Sequence, residues 1–269
     1  MTDHELAAAL AAGAGHVLLA ERERDPGATT DLRDRGDRVA QEHLARELAA
    51  ARPDDAVLSE EAADDPARLD ADRVWVVDPL DGTREYAERH PDGTWRDDWA
   101  VHVALWQRGR GLVAGAVALP GRETVLRADA PAARPARRPG PLRLAVSRSR
   151  PPALVGALQT LADVELVPMG SAGVKVASVV TGETDAYVHA GGQYEWDSAA
   201  PVAVATAAGL HCSRADGRAL EYNRRNPWLP DLLVCERDRA ADLLDLVARA
   251  QALVEGAPGG ATTREDGAQ

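Results

Sequence analysis

The stretch WVVDPLDGTREY, residues 75 to 86, decides how the rest of the chain is read. Val74, Trp75, Val76 and Val77 make an apolar run of the buried-strand type. Pro79 cannot donate to a ladder and disfavours helix for Asp78, so the strand stops there. Gly82 permits a tight turn, after which TREYAER can begin a short helix. At such a strand-to-helix corner Asp78 and Asp81 can point to one spot, and the Leu80 carbonyl can turn toward it. The amides of Gly82 and Thr83 then stand at a helix N-terminus, a ready anion site. Two acids so close repel unless something positive lies between them. Mg2+ suits the place: it takes oxygen ligands in octahedral geometry and keeps waters and substrate phosphate oxygens. On this stretch alone a turn and a cap explain the acids as well, because Asp is common in both.

Outward from the corner, two more stretches put acids at element ends. LSEE (58–61) closes a short strand with Glu60 and Glu61, and EWDSAAP (195–201) puts Asp197 just before an alanine-rich helix, where alone it reads as an N-cap. Three termini that each present a carboxylate can together build a two-metal site.

The surrounding pattern is that of a globular protein. The 269 residues are 45% apolar and 28% charged, enough for one large domain or two small ones. No apolar run reaches the length of a membrane span, and the acidic N-terminus lacks the basic region of a signal peptide. Cys212 and Cys235 have no metal-ligand spacing, so reduced thiols and a cytoplasmic location are expected. A net charge of −12 argues against polymeric nucleic acid, but not against a small phosphorylated ligand held through cations. Thirty arginines accompany a single lysine, Lys175. An ammonium and a guanidinium are not interchangeable at a tight polar site, so Lys175 is either a ligand contact or a chance survivor on a helix surface.

Helices are expected over 3–24 and 37–51, with a polar loop over 25–37 between them. Strands at 56–61, 73–79 and 98–107, then GLVAGAVALP and RETVLRA, suggest an antiparallel sheet. DAPAARPARRPGP (129–141) reads as a linker. Beyond it strands alternate with helices at 151–161, 171–181, 197–208 and about 237–254. The expected organisation is an α+β domain over 1–135, an α/β domain over 136–255 and a disordered tail over 256–269.

LSEE, DPLDGTREY and WDSAAP, in this order and spacing, resemble the metal-dependent, lithium-sensitive phosphatases of the inositol monophosphatase superfamily, from about residue 5 to 250. DGTREY, GSAGVK and GGQYEWDSAAP look like its CysQ branch, the 3'-phosphoadenosine 5'-phosphate phosphatases; Tyr86 stands where Phe is usual. The resemblance implies a layered α-β-α-β-α sandwich of the inositol monophosphatase and fructose bisphosphatase type. It implies two or three Mg2+ per site, replaceable by Mn2+ and inhibited by Li+. Glu60 and Asp78, with the Leu80 backbone oxygen, would hold one ion, and Asp78, Asp81 and Asp197 a second. Asp37, in RGDRVAQ, matches a family acid near the nucleophilic water and a third ion. Thr83 would hydrogen-bond that water with Asp37 or Glu60, and Leu80, Asp81, Gly82 and Thr83 would hold the scissile phosphate. Whether Glu60 or Glu61 is the direct ligand rests on motif position.

The implied reaction is phosphomonoester hydrolysis by activated water, within sulfate assimilation. The nucleotide's second phosphate needs cations, for which Lys175 is the first candidate. Ser147, Arg148 and Arg150 in SRSRP form another, or a solvated loop. Gly170 and Ser171 either present N–H groups to a ligand or only start a helix. An inositol-1-phosphate or fructose-1,6-bisphosphate phosphatase, and a non-catalytic nucleotide and metal sensor, are the competing functions. Relatives are often dimers, so a homodimer is an expectation. The second Asp-Gly-Thr, at 92–94, follows His-Pro and reads as a loop. His102 and His189 read as packed or hydrogen-bonded, Trp75, Trp99 and Trp106 as core or interface, and Trp228 as part of a turn-rich loop.

Overall fold

The structure is a computed structural model that describes residues 1–24, 30–135, 139–149 and 151–256. Seven helices and ten strands follow in the order α1 (Asp3–Arg24), α2 (Thr30–Ala51), β1 (Ala56–Ser59), β2 (Arg73–Asp81), α3 (Thr83–Tyr86), β3 (Ala100–Gln107), β4 (Gly111–Leu119), β5 (Thr124–Arg127), β6 (Leu142–Ser147), α4 (Ala153–Leu161), β7 (Val164–Met169), α5 (Ala172–Val180), β8 (Ala186–Tyr194), α6 (Glu195–Ala207), β9 (His211–Ser213), β10 (Trp228–Cys235) and α7 (Ala240–Gly256) among the described residues. None of these helices is long and apolar enough to cross a membrane.

The strands form two five-stranded sheets, β1-β2-β3-β4-β5 and β7-β6-β8-β10-β9. In the first only β1 and β2 are parallel; in the second β7, β6 and β8 are parallel and β10 runs against β8 and β9. Side chains alternate along β2. Trp75 and Val77 join Leu6, Leu10, Leu44 and Leu48 under α1 and α2, while Val74 and Val76 join residues of α5 and α6 on the opposite face. With both faces covered, the strand must be apolar at every position, which is why residues 74–77 lack the polar alternation of a half-exposed strand. On the far side of the second sheet, Leu154 and Leu158 of α4 and Leu243 and Val247 of α7 close a third core with Leu144 and Leu233. The layers are therefore α1/α2, sheet, α5/α6, sheet, α4/α7, the sandwich that the motifs led us to expect.

Three local expectations need correction. Helix α2 begins at Thr30, so Asp37 sits inside a helix rather than at the end of a loop. The stretch is polar, but Leu32, Gly36, Ala40, Leu44 and Leu48 recur at intervals of four and are all buried. Helix α6 begins at Glu195, which makes Asp197 its third residue rather than its cap. Trp228 opens strand β10, paired with Tyr194, instead of lying in a loop. The Asp-Gly-Thr at 92–94 is an exposed turn, as expected, in which Asp92 accepts the Thr94 amide at 2.9 Å. Of the expected linker over 129–141, residues 136–138 lie outside the described residues, as does the expected tail from 257 onward.

Candidate active site

The corner forms, but later than Pro79 led us to expect: β2 does not stop at Asp78 and runs on to Asp81. Its pairing with β3 is interrupted between Asp78 and Asp81, which frees the Pro79–Leu80 backbone to turn. Gly82 takes φ 92° and leads into α3. Asp78 is fully buried; one carboxyl oxygen accepts the Leu80 amide at 3.0 Å, and the other, Oδ2, has no hydrogen-bond partner among the described residues. Burial, then the charges of Glu60, Asp81 and Asp197, push its pKa well above the usual carboxylate range. Glu60 lies at the open edge. Loss of surrounding water, then Asp197 and Asp81, push it up to about 7. Asp197, raised to about 6 by burial and by Asp81, reaches back along its helix to accept the Tyr194 amide at 2.6 Å.

Asp81 behaves differently. Burial works to raise its pKa, but His102 and hydrogen bonds from Ser171 and Gly173 outweigh burial and hold it at about 2. Its carboxylate caps α5: it accepts the Gly173 amide at 2.6 Å, the Ala172 amide at 3.1 Å and the Ser171 hydroxyl. Ser171 holds a left-handed backbone, φ 48°, to present that hydroxyl, a strained conformation kept by the surrounding contacts. The first turn of α5 lies so close to His102 that a Cβ at Gly173 would stand 2.0 Å from the ring. The Ala172 and Gly173 amides are thus spent on Asp81, and the Gly170 amide on Asp98 at 2.7 Å, so of the two readings of the Gly170–Ser171 stretch the helix start describes Gly170.

His102 is packed and hydrogen-bonded, its Nδ1 3.1 Å from the Trp196 carbonyl. It is also part of this site, its Nε2 3.2 Å from Asp81. Donor atoms of Asp78, Asp81 and His102 lie within 4.8 Å of one another. The signal was a polar residue inside an apolar strand, and the register that sets His102 opposite Asp78 could not be read from the chain alone. On α2, Asp37 accepts the Thr83 hydroxyl at 3.3 Å, and that hydroxyl also lies 3.2 Å from the Leu80 carbonyl. Burial, then Glu61, push Asp37 up to about 7 against the Thr83 hydrogen bond.

Glu60, Asp81, Ser171, Lys175 and Asp197 line one cavity of about 710 Å³. A larger groove of about 850 Å³, walled by Trp106, Leu112, Val202 and Tyr222, is mostly apolar and holds none of these acids. Lys175 is buried rather than on a helix surface: its Nζ donates to the Gly170 carbonyl at 3.2 Å and sits 5.5 Å over the Tyr187 ring. Burial lowers its pKa, against Asp81, Glu85 and Asp197. Ser147 reaches the same cavity, but Arg148 is paired with Glu85 at 2.8 Å and with Glu88, and Arg150 lies outside the described residues.

The site fits a divalent cation. Asp78 Oδ2 is a buried, unpartnered oxygen among three other carboxylates, and Asp81 Oδ1 accepts only the Ala172 amide. His102 answers one of these charges, 3.2 Å from Asp81 and 3.9 Å from Asp78 Oδ2; the acids that remain make an oxygen-rich set of the kind Mg2+ or Mn2+ takes, and without an ion they hold protons.

The model of the inositol monophosphatase family matches residues 3–252. The chain belongs to the inositol monophosphatase family. Within it, the chain is 52% identical over 226 residues to a protein of Mycobacterium bovis named 3'-phosphoadenosine 5'-phosphate phosphatase, covering 81% of this chain and 83% of that one. It is 49% identical over 262 residues to the Mycobacterium leprae protein of the same name, covering 92% and 94%. Among solved family structures, CysQ from Bacteroides thetaiotaomicron superposes with a TM-score of 0.72 at 26% identity, over 87% of this chain and 97% of that one. Inositol monophosphatase II from Staphylococcus aureus gives 0.74 at 20% identity, over 95% and 100%, a likeness of fold.

Proposed function

We propose that this member of the inositol monophosphatase family removes the 3'-phosphate of 3'-phosphoadenosine 5'-phosphate, giving AMP and inorganic phosphate, with Mg2+ as its ion, Mn2+ as a substitute and Li+ as an inhibitor. The observation that carries the reading is the buried, unpartnered Asp78 Oδ2 beside a cavity that also holds a buried lysine. The names of the two mycobacterial relatives support the choice of substrate.

Glu60 and Asp78, with the Leu80 carbonyl, would hold one ion, and Asp78, Asp81 and Asp197 another, with His102 as a positive partner that keeps Asp81 ionised. When bound, the cations acidify water and neutralise charge on the phosphate. The chain's own groups do the rest. Thr83 and Asp37 orient the attacking water, and the Asp37 carboxylate, the acceptor of the Thr83 hydroxyl, takes the proton. The first amides of α3, at Gly82 and Thr83, lack intrahelical partners by position and receive the scissile phosphate. Water oxygen bonds to phosphorus as the bond to the ribose 3' oxygen breaks, one water proton passes to Asp37, and the departing ribose oxygen takes a proton from solvent water. Lys175 takes the second phosphate, and Ser171 and Asp197 border the bound substrate.

The test is phosphate release from this nucleotide beside inositol 1-phosphate and fructose 1,6-bisphosphate, with Mg2+ titrated. The nucleotide should lead in kcat/KM by at least about tenfold; a tenfold lead for inositol 1-phosphate overturns the substrate. Lys175→Met should raise KM for the nucleotide by about 10- to 100-fold, the worth of one hydrogen bond to a charged group. Lys175→Arg should not rescue it, because a buried slot shaped for an ammonium does not admit a guanidinium fork. Steady-state kinetics of the two variants decide the point.

A further inference from the structure

The same cavity is lined by groups that no role given above explains. There Gln193, next to last in β8, is only 6% exposed, yet neither its amide nitrogen nor its amide oxygen has a hydrogen-bond partner among the described residues. Buried side-chain amides rarely go unpaired on both atoms, and Gln193 lines the cavity. Beside it stand two large aromatic side chains left open to solvent, Tyr194 at 41% and Trp228 at 43%. Tyr194 stacks on Trp196 at 4.6 Å and 11°, and meets Trp228 edge-on at 5.3 Å and 79°. Together they make a corner of rings. Trp228 is pressed onto the Gly192 backbone so closely that a Cβ there would lie 1.7 Å from the indole. His189 fixes the same turn, its Nε2 2.8 Å from the Gly192 carbonyl.

A planar surface next to an unused donor and acceptor is what a heterocyclic base needs. Aromatic faces stack a base of any sequence, whereas a glutamine amide reads a ring nitrogen and an adjacent exocyclic amine as a pair. We propose that Gln193 reads the base of the substrate, donating from Nε2 to a ring nitrogen of adenine and accepting at Oε1 from its amino group, with Trp228 and Tyr194 as the stacking wall. This inference rests on the nucleotide reading of the site and adds the groups that choose among bases.

The experiment compares kcat/KM for adenosine 3',5'-bisphosphate with that for base-free ribose 3,5-bisphosphate, under saturating Mg2+. The wild type should favour the nucleotide by about 50-fold, and Gln193→Met, of similar length but without the amide, should reduce that ratio to about fivefold, the part left to stacking. Gln193→Leu serves in case the methionine variant folds poorly, and should also lose most of the ratio, because it offers neither donor nor acceptor to the base. Either folded variant keeping the full ratio overturns the role of Gln193 while leaving the substrate reading intact. A wild type that favours inositol 1-phosphate over the nucleotide removes both.

Discussion

Replacing Asp78 by asparagine is expected to lower kcat by at least about a thousand-fold, the scale of losing a central electrostatic group, and at the same time to stabilise the metal-free protein. The two effects have one cause. The Asp78 carboxyl is fully buried, its Oδ2 has no hydrogen-bond partner among the described residues, and it faces Glu60, Asp81 and Asp197, with His102 3.9 Å away. At neutral pH without metal, the fold must either keep that group protonated or bury its charge among like charges. Asparagine has the same shape and neither cost, so the thermal midpoint of the variant in chelator should rise by about 2–5 °C. With Mg2+ the order should reverse, because the wild type alone gains the full binding energy. Thermal melts with EDTA and with Mg2+, run beside a phosphate-release assay, report both halves. A variant that keeps more than about a tenth of the wild-type rate would place Asp78 outside the metal set.

The second large effect is on pH. In the metal-free protein Glu60 and Asp37 sit near 7 and Asp197 near 6, against ordinary values of 4.5, 3.8 and 3.8. The folded state therefore holds protons that the unfolded chain releases at lower pH. The stability tied to these groups is fully present below their ordinary values and is lost as pH rises through about 6 to 7. Mg2+ must displace the same protons, so its affinity should rise through that window. The Mg2+-induced shift in thermal midpoint should be under about 2 °C at pH 5.5 and several times larger at pH 8. Calorimetric titrations at about pH 6.5, in buffers of different ionisation enthalpy, should show protons released on binding. Equal Mg2+ affinity at both ends of the range would mean that Glu60 and Asp197 do not hold the ion.

The parts of the fold that were legible share a property: their local pattern and their tertiary environment agree. Residues 74–77 read as a doubly covered strand and are one, because an apolar face lies against each side of β2. Asp78, Asp81, Glu60 and Asp197 were legible as ligand candidates only together, because a turn or a cap explains each acid alone and the three stretches in their order and spacing do not fit that explanation. What failed depended on partners distant in the chain. The start of α2 is polar in composition and helical only because Leu32 and Gly36 have a core to enter. Arg148 looked available to a phosphate, but Glu85 and Glu88, about 60 residues away, engage it. His102 joins the acids only through strand register, and Gln193 stands out only when its unpaired amide is seen buried beside Trp228. Sequence spacing places residues on an element; it does not say which atoms across the fold are left without a partner.

The central claim is that four acids from three separate stretches converge to hold divalent cations beside the Leu80–Thr83 turn. The most direct measurement is anomalous scattering from crystals of the wild type grown with Mn2+. The account predicts strong peaks bounded by Glu60, Asp78 and the Leu80 carbonyl, and by Asp78, Asp81 and Asp197, at oxygen distances of about 2.0–2.3 Å. Peaks elsewhere on the molecule, with these carboxylates bare of metal at saturating Mn2+, would contradict it.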